Sequence, residues 1–148
     1  GAAEGQDARI LAEHARDLMR EDSVLVHIAM DETRMATLAD LLAFFAPDVK
    51  VVQFPSWDCL PYDRVSPSND IVAQRVAALS TLLEWSSDQR RYPRILLTTV
   101  NAAMQRVMPK EVLQKTGFSA SAGGRINVDA LMDFLARNGY VRTETANR

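Results

Sequence analysis

The run Arg94-Ile95-Leu96-Leu97-Thr98-Thr99 has no alternation of apolar and polar residues, and β-branched residues crowd its end. A half-exposed strand would alternate. A strand covered on both faces has no reason to, and such coverage belongs to parallel sheets whose crossover helices lie above and below. Two runs of the same kind precede it, Ser23–Ala29 (SVLVHIA) and Val49–Phe54 (VKVVQF). Helical patterns separate the three. Gln6 to Glu21 carries Ile10, Leu11, Ala15, Leu18 and Met19 at helical spacing. Asp31 stands as an N-cap before a stripe of Met35, Leu38, Leu41, Leu42 and Phe45, which Pro47 ends. Ser68 caps a long helix in which Ile71, Val72, Val76, Leu79, Leu82 and Leu83 define one face, with Asp70 in the first turn where the helix dipole favours a carboxylate. After the third strand a short helix should bury Ala102, Ala103, Met104 and Val107, and Pro109 opens a further helical turn to Lys115. The alternation predicts an α/β domain: three layers, a mostly parallel sheet flanked by helices, joined by right-handed crossovers.

From about residue 117 the texture changes. Gly117–Gly124 (GFSASAGG) is small and alternating, Asn127 caps a helix carrying Val128, Leu131, Phe134 and Leu135, and Tyr140–Thr145 alternates as a strand does. Residues 117–148 are therefore expected to open a second, smaller α+β module after a first domain spanning 1–116.

Composition narrows the function classes. Of 148 residues 47% are hydrophobic and 24% charged, which excludes a disordered tail, a collagen-like repeat and a coiled-coil rod. A net charge of −2, from 17 basic and 19 acidic residues, is not the basic footprint of a free-standing DNA-binding module. No apolar run approaches the ~20 residues of a membrane span, and no leader resembles a signal peptide. Cys59 is the single cysteine and His14 and His27 the two histidines, so neither a disulfide framework nor a metal-ligand cluster is expected. A reducing, cytoplasmic setting fits.

Doubly wound sheets often hold nucleotides on a phosphate loop. The glycines of Gly1-Ala2-Ala3-Glu4-Gly5-Gln6-Asp7 are the candidate, but Gln6 and Asp7 stand where a lysine and a hydroxyl are needed. Arg90, Arg91 and Arg94 beside Tyr92 form a small basic cluster that reads as a solvated loop. The most informative segment is Phe54–Leu83, FPSWDCLPYDRVSPSNDIVAQRVAALSTLL. Three prolines and two aromatic residues make a stiff loop beyond the carboxyl end of a strand, where open α/β sheets place ligands. Trp57, Leu60 and Tyr62 could equally plug the end of the core, the reading composition favours. Asp58, Asp63, Arg64 and Arg75 are expected to form ion pairs tying this loop to the following helix.

The run Phe54-Pro55-Ser56-Trp57-Asp58-Cys59-Leu60-Pro61-Tyr62-Asp63, followed by Ser66-Pro67, Asp70-Ile71 and Arg75, resembles the N-terminal region of the bacterial transcription-repair coupling factors. Thr99 to Val107 with Pro109, which includes Asn101, Gln105 and Arg106, is a second matching stretch, and Gly124-Arg125-Ile126 through Gly139-Tyr140 a weaker third. The excision-repair helicase subunit UvrB is similar more loosely. The resemblance implies a helicase-like domain 1a that has lost its ATP site, followed by the start of domain 2, which carries the contact to UvrA. It implies no catalytic residue, cofactor or metal in this chain, with ATP and magnesium belonging to motor domains elsewhere in the parent, an ATP-driven DNA translocase. It implies UvrA as a partner through domain 2, RNA polymerase and DNA through other domains, contacts with neighbouring domains, and no membrane. Trp57, Asp58, Leu60, Pro61, Tyr62, Asp63, Asp70, Arg75, Asn101, Gln105 and Arg106 are its motif residues here. Two features depart from UvrB: no intact phosphate loop is present, and Asp70 runs straight into Ile71 where UvrB inserts a damage-probing hairpin. The family's UvrA-binding arginines would fall beyond Arg148. A UvrB-like nucleotide- or DNA-binding domain is the rival reading. It would need a phosphate-binding lysine, or strong use of Arg64, Arg75, Arg90, Arg91 and Arg94.

Overall fold

A computed structural model describes residues 5–59 and 66–116, with side chains as far as 113. The expectations for Gly1–Glu4, for Leu60 to Arg64 and for everything from Gly117 onward lie outside the described residues. Contacts divide the chain into two compact units, Gly1–Val107 and Met108–Arg148. In the second unit the described part is chiefly a helix, Lys110–Thr116.

The first unit is α/β. In chain order it contains α1 (Gln6–Leu18) with a 3₁₀ turn (Met19–Glu21), β1 (Leu25–Ala29), α2 (Glu32–Phe45), β2 (Lys50–Phe54), α3 (Asn69–Trp85), β3 (Arg94–Thr99) and α4 (Val100–Ala103). The helix in the second unit is α5. All pairing is parallel and the strand order is β1-β3-β2. The apolar run that begins at Arg94 is thus the central strand. Ile95 and Leu97 are wholly buried and the strand is covered on both sides, as its composition demanded.

Two core clusters lie on opposite faces of the sheet. In one, Ala29, Ile95 and Leu97 pack with Met35, Leu38 and Leu42 of α2 and with Ala8, Ala12 and Ala15 of α1. In the other, Phe54, Val52 and Leu96 meet Ala78 and Leu79 of α3 and Ala102 of α4. Local chemistry fixes the helix ends. The Asp31 carboxylate accepts from Arg34 N at 2.7 Å, and Ser68 Oγ accepts from Ile71 N at 3.4 Å. Ala46, ahead of Pro47, leaves the helical region and closes α2. Gly5 caps α1 at φ 90°, a conformation that suits glycine.

Several helix faces differ from those the apolar spacing indicated. On α3 the buried residues are Arg75, Ala78 and Trp85, while Val72 and Val76 are exposed. The buried stripe turns on an arginine, which a search for apolar periodicity passes over. Phe45 is exposed at the end of α2, next to Phe44. Met104 and Val107 are exposed after α4, because that helix runs for one turn and buries Ala102 alone.

The arginine cluster is also not a solvated loop. Arg90 and Arg91 are exposed, but Arg94 is buried. Its guanidinium donates to the carbonyls of Trp85 (3.2 Å), Asp88 (3.4 Å) and Arg90 (2.8 Å) and to Asp22 Oδ1 (3.4 Å), and it lies 4.6 Å from the Tyr92 ring centre. Asp88 receives the side chain of Arg90, its backbone N–H and the Tyr92 hydroxyl. These bonds, led by that from the Arg90 side chain, hold the Asp88 carboxyl down at about 2. A carboxyl with a lowered folded pKa stabilises above its unfolded pKa near 3.9, and that stability fades as pH falls towards the folded value. Asp88→Asn should therefore be less stable than the wild type at pH 7. Urea unfolding should show the gap closing between about pH 4 and pH 2, and a gap independent of pH would refute the assignment.

Candidate functional site

The carboxyl ends of the three strands, where a parallel sheet offers a ligand site, carry a closed polar hub. Its centre is Arg75. As part of α3 it reaches under the chain leaving β2, and is 2% exposed. Its guanidinium carbon lies 4.2 Å from the centres of both the Phe54 and the Trp57 rings, so the cation is sandwiched between two aromatic faces. Nη1 donates to the carbonyl of Pro55 at 2.6 Å and to Gln105 Oε1 at 3.0 Å. Burial pushes its pKa down, partly offset by the charge of Glu32. Among the described residues no carboxylate pairs with it, so the expected ion pair between Asp58 and Arg75 is not formed, while Asp63 and Arg64 lie outside the described residues.

Gln105 comes back to the loop because α4 is so short. Its Oε1 also accepts from Trp57 N at 3.0 Å, so one amide oxygen joins the chain after β2, the helix α3 and the chain after β3. Glu32, in the first turn of α2, completes the hub. Its Oε1 accepts from Ser56 N (2.8 Å), Ser56 Oγ (2.7 Å) and Thr99 Oγ1 (3.2 Å). Thr99 caps α4 by accepting from Ala102 N, and Thr98 Oγ1 donates to the carbonyl of Phe54 at 3.0 Å.

Of the motif residues, the hub gathers Trp57, Arg75 and Gln105. Asp58 lies at its margin and is not paired with Arg75: its two oxygens accept from Ser68 N at 3.2 and 3.3 Å, and bonds from the Ser68 side chain first and its backbone N–H second lower its pKa. Asp70, Asn101 and Arg106 are exposed and stand apart. Leu60, Pro61, Tyr62 and Asp63 fall outside the described residues. Sequence reasoning missed Glu32 and Thr99. The available signal was position, since both flank strand-to-helix turns.

The turn between β1 and α2 matters most for chemistry. In nucleotide-binding sheets the first strand-to-helix turn carries glycines whose amides cradle phosphate. The Gly1–Asp7 candidate leads into α1, and of it Gly5, Gln6 and Asp7 are described, with no lysine among them. The strand-to-helix turn between β1 and α2 is Met30-Asp31, two residues with no glycine and no lysine. The Asp31 carboxylate already occupies the helix N-terminus. Beside it a cleft of about 360 Å³ is lined in part by Glu32, Asp58, Met35 and Ile71, with no lysine or arginine among the described residues of its wall. Among the described residues no group of three or more His, Cys, Asp or Glu could hold a metal ion, and no helix is long and apolar enough to cross a membrane.

Fold and hub together define a small parallel α/β domain whose strand-end polar groups are spent on one another. Comparison with known proteins narrows this further. The chain is 35% identical over 133 residues to the transcription-repair-coupling factor of Escherichia coli (strain K12), covering 90% of this chain and 11% of that protein. It is 33% identical over 124 residues to that of Myxococcus xanthus and 28% identical over 140 residues to that of Haemophilus influenzae, covering 78% and 95% of this chain and 10% and 11% of those proteins. No family model and no solved structure matches the chain. Over most of its length, then, the chain resembles the transcription-repair-coupling factors, and it spans about a tenth of the relatives it matches.

Proposed function

We propose that this chain is a non-catalytic scaffold module, N-terminal in a transcription-repair coupling factor, whose parent releases stalled RNA polymerase from damaged DNA and recruits UvrA to the lesion. The observation that supports the non-catalytic part is that no described strand-to-helix or loop-to-helix turn carries the groups a triphosphate needs. Gln6 and Asp7 follow Gly5 where a lysine and a hydroxyl are wanted, and at the β1–α2 turn Asp31 caps the helix while the neighbouring cleft offers carboxylates. The hub supports a scaffold role, because each of its principal polar contacts is internal. ATP and magnesium are assigned to motor domains elsewhere in the parent, and UvrA to the module that begins near residue 117.

Calorimetric titration tests this. Mg-ATP should give no heat of binding, and a dissociation constant in the low micromolar range would overturn the reading. In the same experiment UvrA should bind a chain lengthened by about seventy residues, enough to complete a second small domain. It should bind residues 1–148 weakly or not at all. Equal binding by the two would move the contact into this chain.

A further inference from the structure

The carboxyl end of α2 leaves two aromatic rings in solvent. Phe44 is 79% and Phe45 57% exposed, and the rings meet edge to face with centres 4.9 Å apart. An apolar side chain standing singly on a surface needs no explanation, but a packed aromatic pair is the kind of anchor found at the centre of protein interfaces. Phe45 rests against the start of α1: a Cβ on Gly5 would stand 3.7 Å from its Cε2. Beside that ring a cleft of about 380 Å³ opens between α1 and the end of α2, lined in part by Gly5, Arg9, Ala12 and Ala46. Three of these four are glycine or alanine, so the hollow exists where larger side chains would fill it. A projecting ring thus stands next to a hollow of a size to take one. The charges around the hollow are balanced within the chain, since Arg9 pairs with Glu13 at 3.2 Å and Arg16 with Asp48 at 2.7 Å.

We infer that this corner is a self-association site, at which a second copy of the chain packs across a twofold axis and each Phe44 ring enters the other copy's cleft between α1 and the end of α2. What selects a second copy is the adjacency of projection and hollow on one patch. A twofold axis passing between them brings each projection over the other hollow, so both are satisfied at once and the contact closes. A partner of another sequence would have to supply both shapes independently. The rim supports the same choice. Two cations and two carboxylates, paired within each copy, meet the same balanced set, so no excess of like charge opposes the contact. An aromatic side chain offers about 150–250 Å², so two rings per copy fall below the roughly 800 Å² per partner of a tight interface. The dimer is therefore a weak one, with a dissociation constant on the order of 100 µM.

Sedimentation velocity of the 148-residue chain tests the assignment, at concentrations from about 10 to about 1,000 µM, which bracket that constant. The mean mass should climb from that of one chain towards that of two. Phe44→Ser should weaken the dimer at least about tenfold. Because Phe44 is exposed, that variant should unfold at the urea concentration of the wild type. Glu13→Arg is a second probe that does not touch the rings: it reverses one charge at each rim, so it should weaken the dimer at least about threefold, and added salt should relieve the effect. Val26→Lys, at an exposed position on β1, should leave the dimer intact. A chain that stays monomeric throughout the range would overturn the inference and leave the patch to a partner of different sequence. A dimer that survives both Phe44→Ser and Glu13→Arg, or one dissolved by Val26→Lys, would overturn it too. So would growth beyond two copies, since a closed twofold contact does not propagate.

Discussion

Replacing Arg94 by alanine is expected to remove about 3 kcal/mol of stability and to lower the melting temperature by roughly 10 °C. The guanidinium supplies the donors for three carbonyls at the turn between α3 and β3, those of Trp85, Asp88 and Arg90. Alanine would leave those carbonyls short of a donor, and an unsatisfied buried acceptor costs about 1–3 kcal/mol. The Asp22 partner is exposed, so the ion pair itself contributes little. Asp22→Asn should therefore cost less than about 0.5 kcal/mol. If Asp22→Asn proved as damaging as Arg94→Ala, charge would be the stabilising element and the carbonyl account would fail. The arrangement carries a cost of its own, since Arg94 Nε is buried without a partner.

Arg75→Ala should cost a further large amount, about 2–4 kcal/mol, because the two ring stacks and two hydrogen bonds vanish together. Against that loss stands the burden of burying a cation with no carboxylate beside it among the described residues, which alanine relieves. Two further variants separate the terms. Arg75→Met keeps the stem but removes donor and charge. Arg75→Lys keeps charge and donor but has no flat face to lie between rings. Both should fall between the wild type and Arg75→Ala in the urea midpoint. Full recovery by lysine would mean that the aromatic sandwich contributes nothing.

The three strands, the caps at Asp31 and Ser68 and the stop at Pro47 were legible in the sequence, because each depends on neighbours a few residues away. The central place of β3 was half legible: its unbroken apolar run announced double coverage, but not which strand would lie on each side. The hub was legible only in outline. Its motif residues Trp57, Arg75 and Gln105 were singled out, yet Asp58, expected among the loop's ion pairs, turns to Ser68 and not to Arg75. An arginine held between rings under a carbonyl leaves no charge pattern in sequence. Glu32 and Thr99, 67 residues apart, meet only because β1 and β3 are neighbours. Arg94 looked like one of three surface charges, and its neighbours' exposure concealed its burial.

The strand order β1-β3-β2 has a consequence for how the chain is born. β1 and β2 leave the ribosome first, but neither can pair with the other, since the place between them belongs to β3. At synthesis rates of about 5–20 residues per second, the nascent chain waits on the order of several seconds after β1 before β3, its partner among the described residues, emerges. During that interval two apolar strands are tethered, unpaired, to a growing polypeptide. Arrival of a single six-residue segment then completes both ladders at once, so assembly of the sheet is an all-or-none event timed by translation.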